Sequence, residues 1–198
     1  MQLTNLFDYD KIPIIESAIN PNRLRRYMPA AHQEIYKAFQ FYMWNCALSE
    51  AFYLSLHFAE ILCRNAVQKA LVFKIGEDWF QHGLFLKLLD PRFRSELAGV
   101  ITDERAAHGD KMTQHHIASG LTFGFWEHLT TKRFDRLIWS RGTSHNFPGA
   151  HFSIKRQDLH DRIESVRRWR NRIAHHQAIF DKDPMRKHQE TLDLINWV

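Results

Sequence analysis

The stretch from Ala30 to Leu71 contains neither glycine nor proline, and its apolar residues recur at helical spacing. Ile35, Phe39, Tyr42 and Cys46 follow one another at intervals of three and four, as do Phe52, Leu56, Ala59 and Cys63. That period stacks side chains along one face of an α-helix, whereas a strand would need alternation. The pattern predicts two helices or one long one. Ser49 before Glu50 offers a fresh N-cap at a break, and Gly76 is the natural stop. Both cysteines, Cys46 and Cys63, fall within this apolar region and are expected as buried free thiols, with no CxxC pairing that would suggest a disulfide scaffold or zinc ribbon.

The rest of the chain carries the same signature. Residues 1–29 hold Pro13, Pro21 and Pro29, which prevent a long helix. We expect them as a leader packed on a single helical domain over residues 30–198. The cluster Arg23-Leu24-Arg25-Arg26 in that leader reads as a solvated face, with a phosphate contact as the alternative. Asp90-Pro91 starts a helix that Gly109 interrupts. Thr113 caps the next helix, which carries Ile117, Leu121 and the run Phe123-Gly124-Phe125-Trp126. Arg141 to Gly149 is a loop. Ser153 is expected to cap a helix with Leu159, Ile163, Val166, Trp169 and Ile173 inside, and a last helix runs from Pro184 or Met185 to Trp197. No strand alternation or repeat is present, so the fold class is all-α. In 198 residues, 15 Phe and 6 Trp against 8 Gly and 6 Pro favour long helices around a bulky core.

A net charge of +5 suits an anionic partner. The N-terminus shows no basic segment followed by an apolar one, and Glu50, His57, Glu60 and Arg64 interrupt the most apolar region. A cytoplasmic location without a membrane span is therefore expected.

Chemistry concentrates in Arg170-Asn171-Arg172-Ile173-Ala174-His175-His176. At about 100° per residue, Arg170 falls in the middle of the apolar stripe set by Leu159, Ile163 and Val166. A guanidinium there needs an anionic partner, because its desolvation is costly. Arg167, Arg168 and Arg172 point elsewhere and read as solvated charges. Asn171 and His175 are four apart and share a face. A guanidinium that grips phosphate oxygens and an imidazole that exchanges protons near neutral pH suit phosphodiester cleavage. By spacing alone, an arginine five positions before a histidine is near chance in a chain with 13 His. The structural alternative is a helix end where His175 and His176 meet the negative end of the dipole.

Arg170-Asn171 with His175 resembles the R-x4-6-H signature of the HEPN superfamily, and the wider string is similar to its abortive-infection (Abi-like) branch. Tyr42-Met43-Trp44-Asn45 with Leu48-Ser49-Glu50-Ala51-Phe52, Glu60-Ile61-Leu62-Cys63-Arg64-Asn65-Ala66 and Leu121-Thr122-Phe123-Gly124-Phe125-Trp126 resemble other blocks of that branch, in order. The resemblance implies a HEPN-like helical bundle that pairs into a homodimer, with a composite active site. It implies metal-independent cleavage of RNA, without a cofactor, by attack of the ribose 2′-hydroxyl, leaving a 2′,3′-cyclic phosphate, and a toxin-like role in phage defence. His175 would be the acid/base group, Arg170 the phosphate clamp and Asn171 the positioning residue, with His176 in support. A Tyr two residues after the motif His serves modification by a nucleotidyltransferase antitoxin in some HEPN toxins; here Gln177 stands at that position, so an RNA or another protein is the expected restraint.

Two other readings compete: a HEPN-like module that binds RNA or a partner without cutting, and a metal hydrolase using His108, His115, His116 and His175 or His176. Adjacent histidines diverge on a helix and chelate poorly, and no HExxH accompanies them. Glu60 and Arg64, at i and i+4, can pair on one helix face. In the resemblance's site Glu60 would orient Arg170. A Glu60→Gln variant is then expected to fold normally and cut RNA more slowly; cleavage at the full rate removes Glu60 from the site.

Overall fold

The structure is a computed structural model that describes residues 11–140, 142–143 and 145–198. The expectations for residues 1–10 of the leader, and for Arg141 and Ser144 of the loop, lie outside them. Every regular element among the described residues is helical: α1 Ile12–Ile19, α2 Pro21–Arg25, α3 Ile35–Ile75, α4 Gly83–Leu88, α5 Pro91–His108, α6 Gln114–Gly120, α7 Phe123–His128, α8 Arg156–Ala174 and α9 Pro184–Trp197, with short 3-10 turns between some of them. The backbone forms two compact units. The first takes the described residues up to Ser55 and Trp169–His188; the second takes Leu56–Arg168 and Gln189–Val198.

Helix α3 is continuous, so no break occurs at Ser49-Glu50. The Ser49 hydroxyl donates instead to the Asn45 carbonyl at 2.8 Å, one turn back, an option that lets serine sit inside a helix. The helix stops where expected, at Gly76, whose φ of 88° is a left-handed conformation that glycine adopts without cost. Helix α3 also contains an 18-residue stretch apolar and long enough to cross a membrane by length and composition, despite its interrupting charges. Core helices of soluble proteins share that property. Cys63 is buried as expected, but Cys46 is exposed.

In the first unit, Ile12, Leu24, Tyr27, Ala31, Ala38, Phe39 and Ala178 form a buried cluster. The leader cluster Arg23-Leu24-Arg25-Arg26 is thus not a uniformly solvated face: Leu24 lies in the core while its neighbours remain outside. Tyr27 stacks on Phe180 at 5.2 Å and meets Tyr42 edge-on at 5.7 Å. Asn45 ties this cluster to the chain beyond α8. Buried on α3, its Oδ1 accepts from the backbone N–H of Ile179 at 2.7 Å and of Phe180 at 3.2 Å.

The second unit has an aromatic interior. Trp79 meets Phe85 and Trp126 edge-on at 5.7 and 6.0 Å, arrangements that ring quadrupoles favour. The Trp79 indole N–H and the Gln68 amide both donate to Gln114 Oε1 at 3.0 Å, which satisfies buried polar groups. Asp90 precedes α5 as expected, yet its carboxylate does not cap the helix; it pairs with Arg133 and approaches His128. The expected helix through Ile117 and Phe125 is split into α6 and α7, because the Thr122 hydroxyl accepts from Phe125 N–H at 3.3 Å and starts a new helix. Ser153 does not cap α8: it bonds His151, and the helix begins later, with the Asp158 carboxylate accepting from Lys155 N–H at 2.9 Å. Gly149 is required by space, since a Cβ there would lie 1.9 Å from the Asn196 carbonyl oxygen.

Two outcomes follow. Asn45→Ala leaves two backbone donors without their acceptor, and we expect a loss of about 2–4 kcal/mol in chemical denaturation; a loss below about 0.5 kcal/mol contradicts the clamp. Burial, the largest influence, lowers the His128 pKa from its ordinary value, and its Nε2 accepts from Asp90 N–H at 3.3 Å. The folded protein therefore resists the proton that the unfolded chain takes up near pH ~6.5, and stability falls as pH drops through that region. The urea midpoint should decrease between pH ~7 and ~5.5, and by less in His128→Gln.

Candidate functional site

Helix α8 forms because its apolar residues repeat at helical intervals, and each is buried: Leu159, Ile163, Val166 and Trp169 are all at most 3% exposed. Arg170 follows on that stripe and is half-buried, as the wheel requires. Its Nη1 donates to the Asn171 side-chain oxygen at 3.3 Å. The next turn brings His175 onto the Asn171 face, with His175 N–H bonded to the Asn171 carbonyl at 2.9 Å. Asn171 is half-buried and the His175 imidazole is exposed. These three residues therefore occupy the last turn and cap of one helix in the first unit, whereas Glu60 and Arg64 belong to the second. There Arg64 Nε donates to Asn65 Oδ1 at 3.2 Å, and the Glu60 charge, after burial, helps push the Cys63 thiol up.

The end of α8 has a specific geometry. Gln177 N–H returns to the Arg172 carbonyl at 2.8 Å and His176 N–H to the Ile173 carbonyl at 2.9 Å. This double closure is a Schellman cap, whose turning residue is left-handed and usually glycine. Here that residue is His176, with φ of 53°. Histidine tolerates the conformation better than most residues but pays for its Cβ.

Beneath the cap is a cavity of about 270 Å³, lined by Arg23 and Arg26, Tyr27, Tyr42, Arg172 and His176 among others, and none of its described lining residues is acidic. Arg172 is consequently not the solvated charge expected: it is half-buried, and its Nη2 donates to the Ala178 carbonyl at 2.9 Å. Its Nε is buried without a hydrogen-bond partner. Arg26 is paired with Asp181. Burial, first, then neighbouring Cys46 and Tyr42, pushes the Tyr27 phenol up to about 12, and burial raises Tyr42 as well. Both phenols thus keep their protons at neutral pH. Of the other α8 arginines, Arg168 is exposed as expected, whereas Arg167 pairs with the nearly buried Glu127.

The cavity was missed in the sequence because its walls come from three stretches of the chain: residues 22–27, Tyr42 on α3, and residues 172–178 at the end of α8. The signal available was the i,i+3 spacing of Arg23 and Arg26, which puts both on one side of the turn once Leu24 is buried. Among the described residues, no three His, Cys, Asp or Glu side chains gather to hold a metal ion; His108 and His116 stack at 4.0 Å instead. Comparison of the chain with protein-family models, with curated proteins and with solved structures returned no match.

Replacing His176 by glycine relieves the left-handed strain, less the entropy glycine loses on folding. His176→Gly is expected to stabilise the fold by about 0.5–1 kcal/mol in urea titration. Destabilisation would show that the His176 side chain supports the folded chain itself.

Proposed function

We propose that this chain is a HEPN-like, metal-independent endoribonuclease of the Abi-like kind, acting on RNA through Arg170, Asn171 and His175. The observation that carries this reading is the placement of a half-buried guanidinium, hydrogen-bonded to an amide, one turn before an exposed imidazole at the end of one helix. In the reaction the 2′-hydroxyl oxygen attacks the adjacent phosphorus while a basic imidazole takes its proton. The bond from phosphorus to the 5′ oxygen breaks, and a protonated imidazole returns a proton to that oxygen. The products are a 2′,3′-cyclic phosphate and a 5′-hydroxyl. Arg170 stabilises the phosphorane charge, and Asn171 positions the group beside His175.

Two copies of the chain supply a base and an acid at once if their motifs meet, and a homodimer is part of the proposal. Support comes from α3 in the first unit, where Trp44, Ala47, Ala51 and Leu54 recur at intervals of three, four and three, the spacing of a helix–helix seam. Trp44 and Leu54 are exposed, and apolar side chains in that register suit a second copy. A nuclease of this kind harms its own cell unless restrained, which fits a toxin-like effector of phage defence held by an RNA or a protein.

The test is purified protein and its His175→Ala variant with labelled RNA in EDTA. Cleavage by the wild type, and a rate at least about a hundredfold lower for the variant, is expected. Equal rates remove His175 from the chemistry. Binding without cleavage by the wild type favours the non-catalytic RNA-binding reading.

A further inference from the structure

The cavity under the α8 cap lies beside Arg170, Asn171 and His175 in the chain but uses none of them. Its composition is one-sided. Arg23, Arg26, Arg172 and His176 converge on it, with no acidic residue in the described lining. Asp181 engages Arg26 and leaves the other basic groups to define the wall. Two features of the wall are left unrelieved by the chain's own groups: the buried Arg172 Nε has no partner, and His176 holds a left-handed conformation. A basic lining with an unpartnered guanidinium donor is the arrangement expected of an anion site.

We propose that this cavity binds a phosphate ester, with Arg23 and Arg172 holding the phosphate oxygens and the His176 side chain closing over them. Guanidinium groups suit this role because they donate parallel hydrogen bonds to phosphate. The Tyr27 and Tyr42 phenols, which stay protonated, are neutral donors that do not repel the ligand. At about 270 Å³ the cavity has room for a phosphate and for the sugar it is attached to. A free nucleotide and a residue within an RNA strand share this chemistry. The proposal does not rest on cleavage by His175, and it stands or falls separately from that reading.

Isothermal titration of the full chain with AMP, ribose 5-phosphate and adenosine tests it, with a single-stranded RNA oligonucleotide as a further arm on the His175→Ala chain. AMP and ribose 5-phosphate, or the RNA, should bind in a salt-dependent manner, and adenosine about tenfold or more weakly than AMP. Arg23 is exposed, so Arg23→Gln should fold as the wild type does and weaken the phosphate ligands about tenfold. His176→Gly is the control against a folding artefact: it should be at least as stable as the wild type and still bind more weakly. Binding of AMP that RNA does not displace identifies a free nucleotide; Arg23-dependent binding of RNA without AMP identifies the strand. Both support the site. No binding by any phosphate probe, equal binding of adenosine and AMP, or undiminished binding by Arg23→Gln overturns it.

Discussion

The Asn45 carboxamide sets the course of the chain just beyond the end of α8. One buried oxygen takes two successive backbone N–H groups, those of Ile179 and Phe180. Two bonds to one acceptor fix direction as well as distance. They turn Ala178 and Ile179 inward and bring Phe180 against Tyr27. The Schellman cap on its own ends the helix; the asparagine decides where the chain goes next. The wall that Arg172 and His176 present depends on both, because Arg172 reaches the Ala178 carbonyl that Asn45 holds in place.

Charge in this unit follows from the same end of α8. The last carbonyls of a helix carry partial negative charge, so cations collect there at reduced cost. Arg170, Arg172, His175 and His176 all lie in that last turn or its cap, and α2 adds Arg23 from another part of the chain. Two kinds of group are thereby separated. Arg170, Asn171 and His175 occupy the helix end, where the imidazole is open to solvent. Arg172 and His176 turn to the cavity. The adjacent His175 and His176, which would diverge as ligands of one metal ion, have different surroundings: His176 lines the cavity and His175 does not.

The helical class, the stop of α3 at Gly76, the start of α5 after Asp90 and the reach of α9 were all legible in the sequence, because each is set by period or by a local breaker. Whether α3 is one helix or two was not, since Ser49 offers a cap that the folded chain does not use. The half-buried position of Arg170 was legible too, since a helical wheel needs only the helix. What could not be read depends on partners distant in the chain. Asn45 meets Ile179 across 134 positions and Arg26 meets Asp181 across 155, and neither leaves a local trace. The same limit explains the caps that failed. Ser49 and Ser153 are good caps by type, but one bonds back into its own helix and the other is engaged by His151. Arg167 and Arg172 were misjudged because a wheel centred on apolar positions does not show where a carboxylate or a free carbonyl waits.

The central claim is that Arg170, Asn171 and His175 cut RNA by drawing the nucleophile from the substrate itself. Its most direct measurement is the rate on an RNA oligonucleotide against the same sequence carrying 2′-O-methyl groups throughout, in EDTA. The account predicts cleavage of the first to fragments with cyclic phosphate ends and none of the second. Cleavage of both at similar rates would contradict it, because a methylated 2′ oxygen has no proton to give and cannot act as the nucleophile.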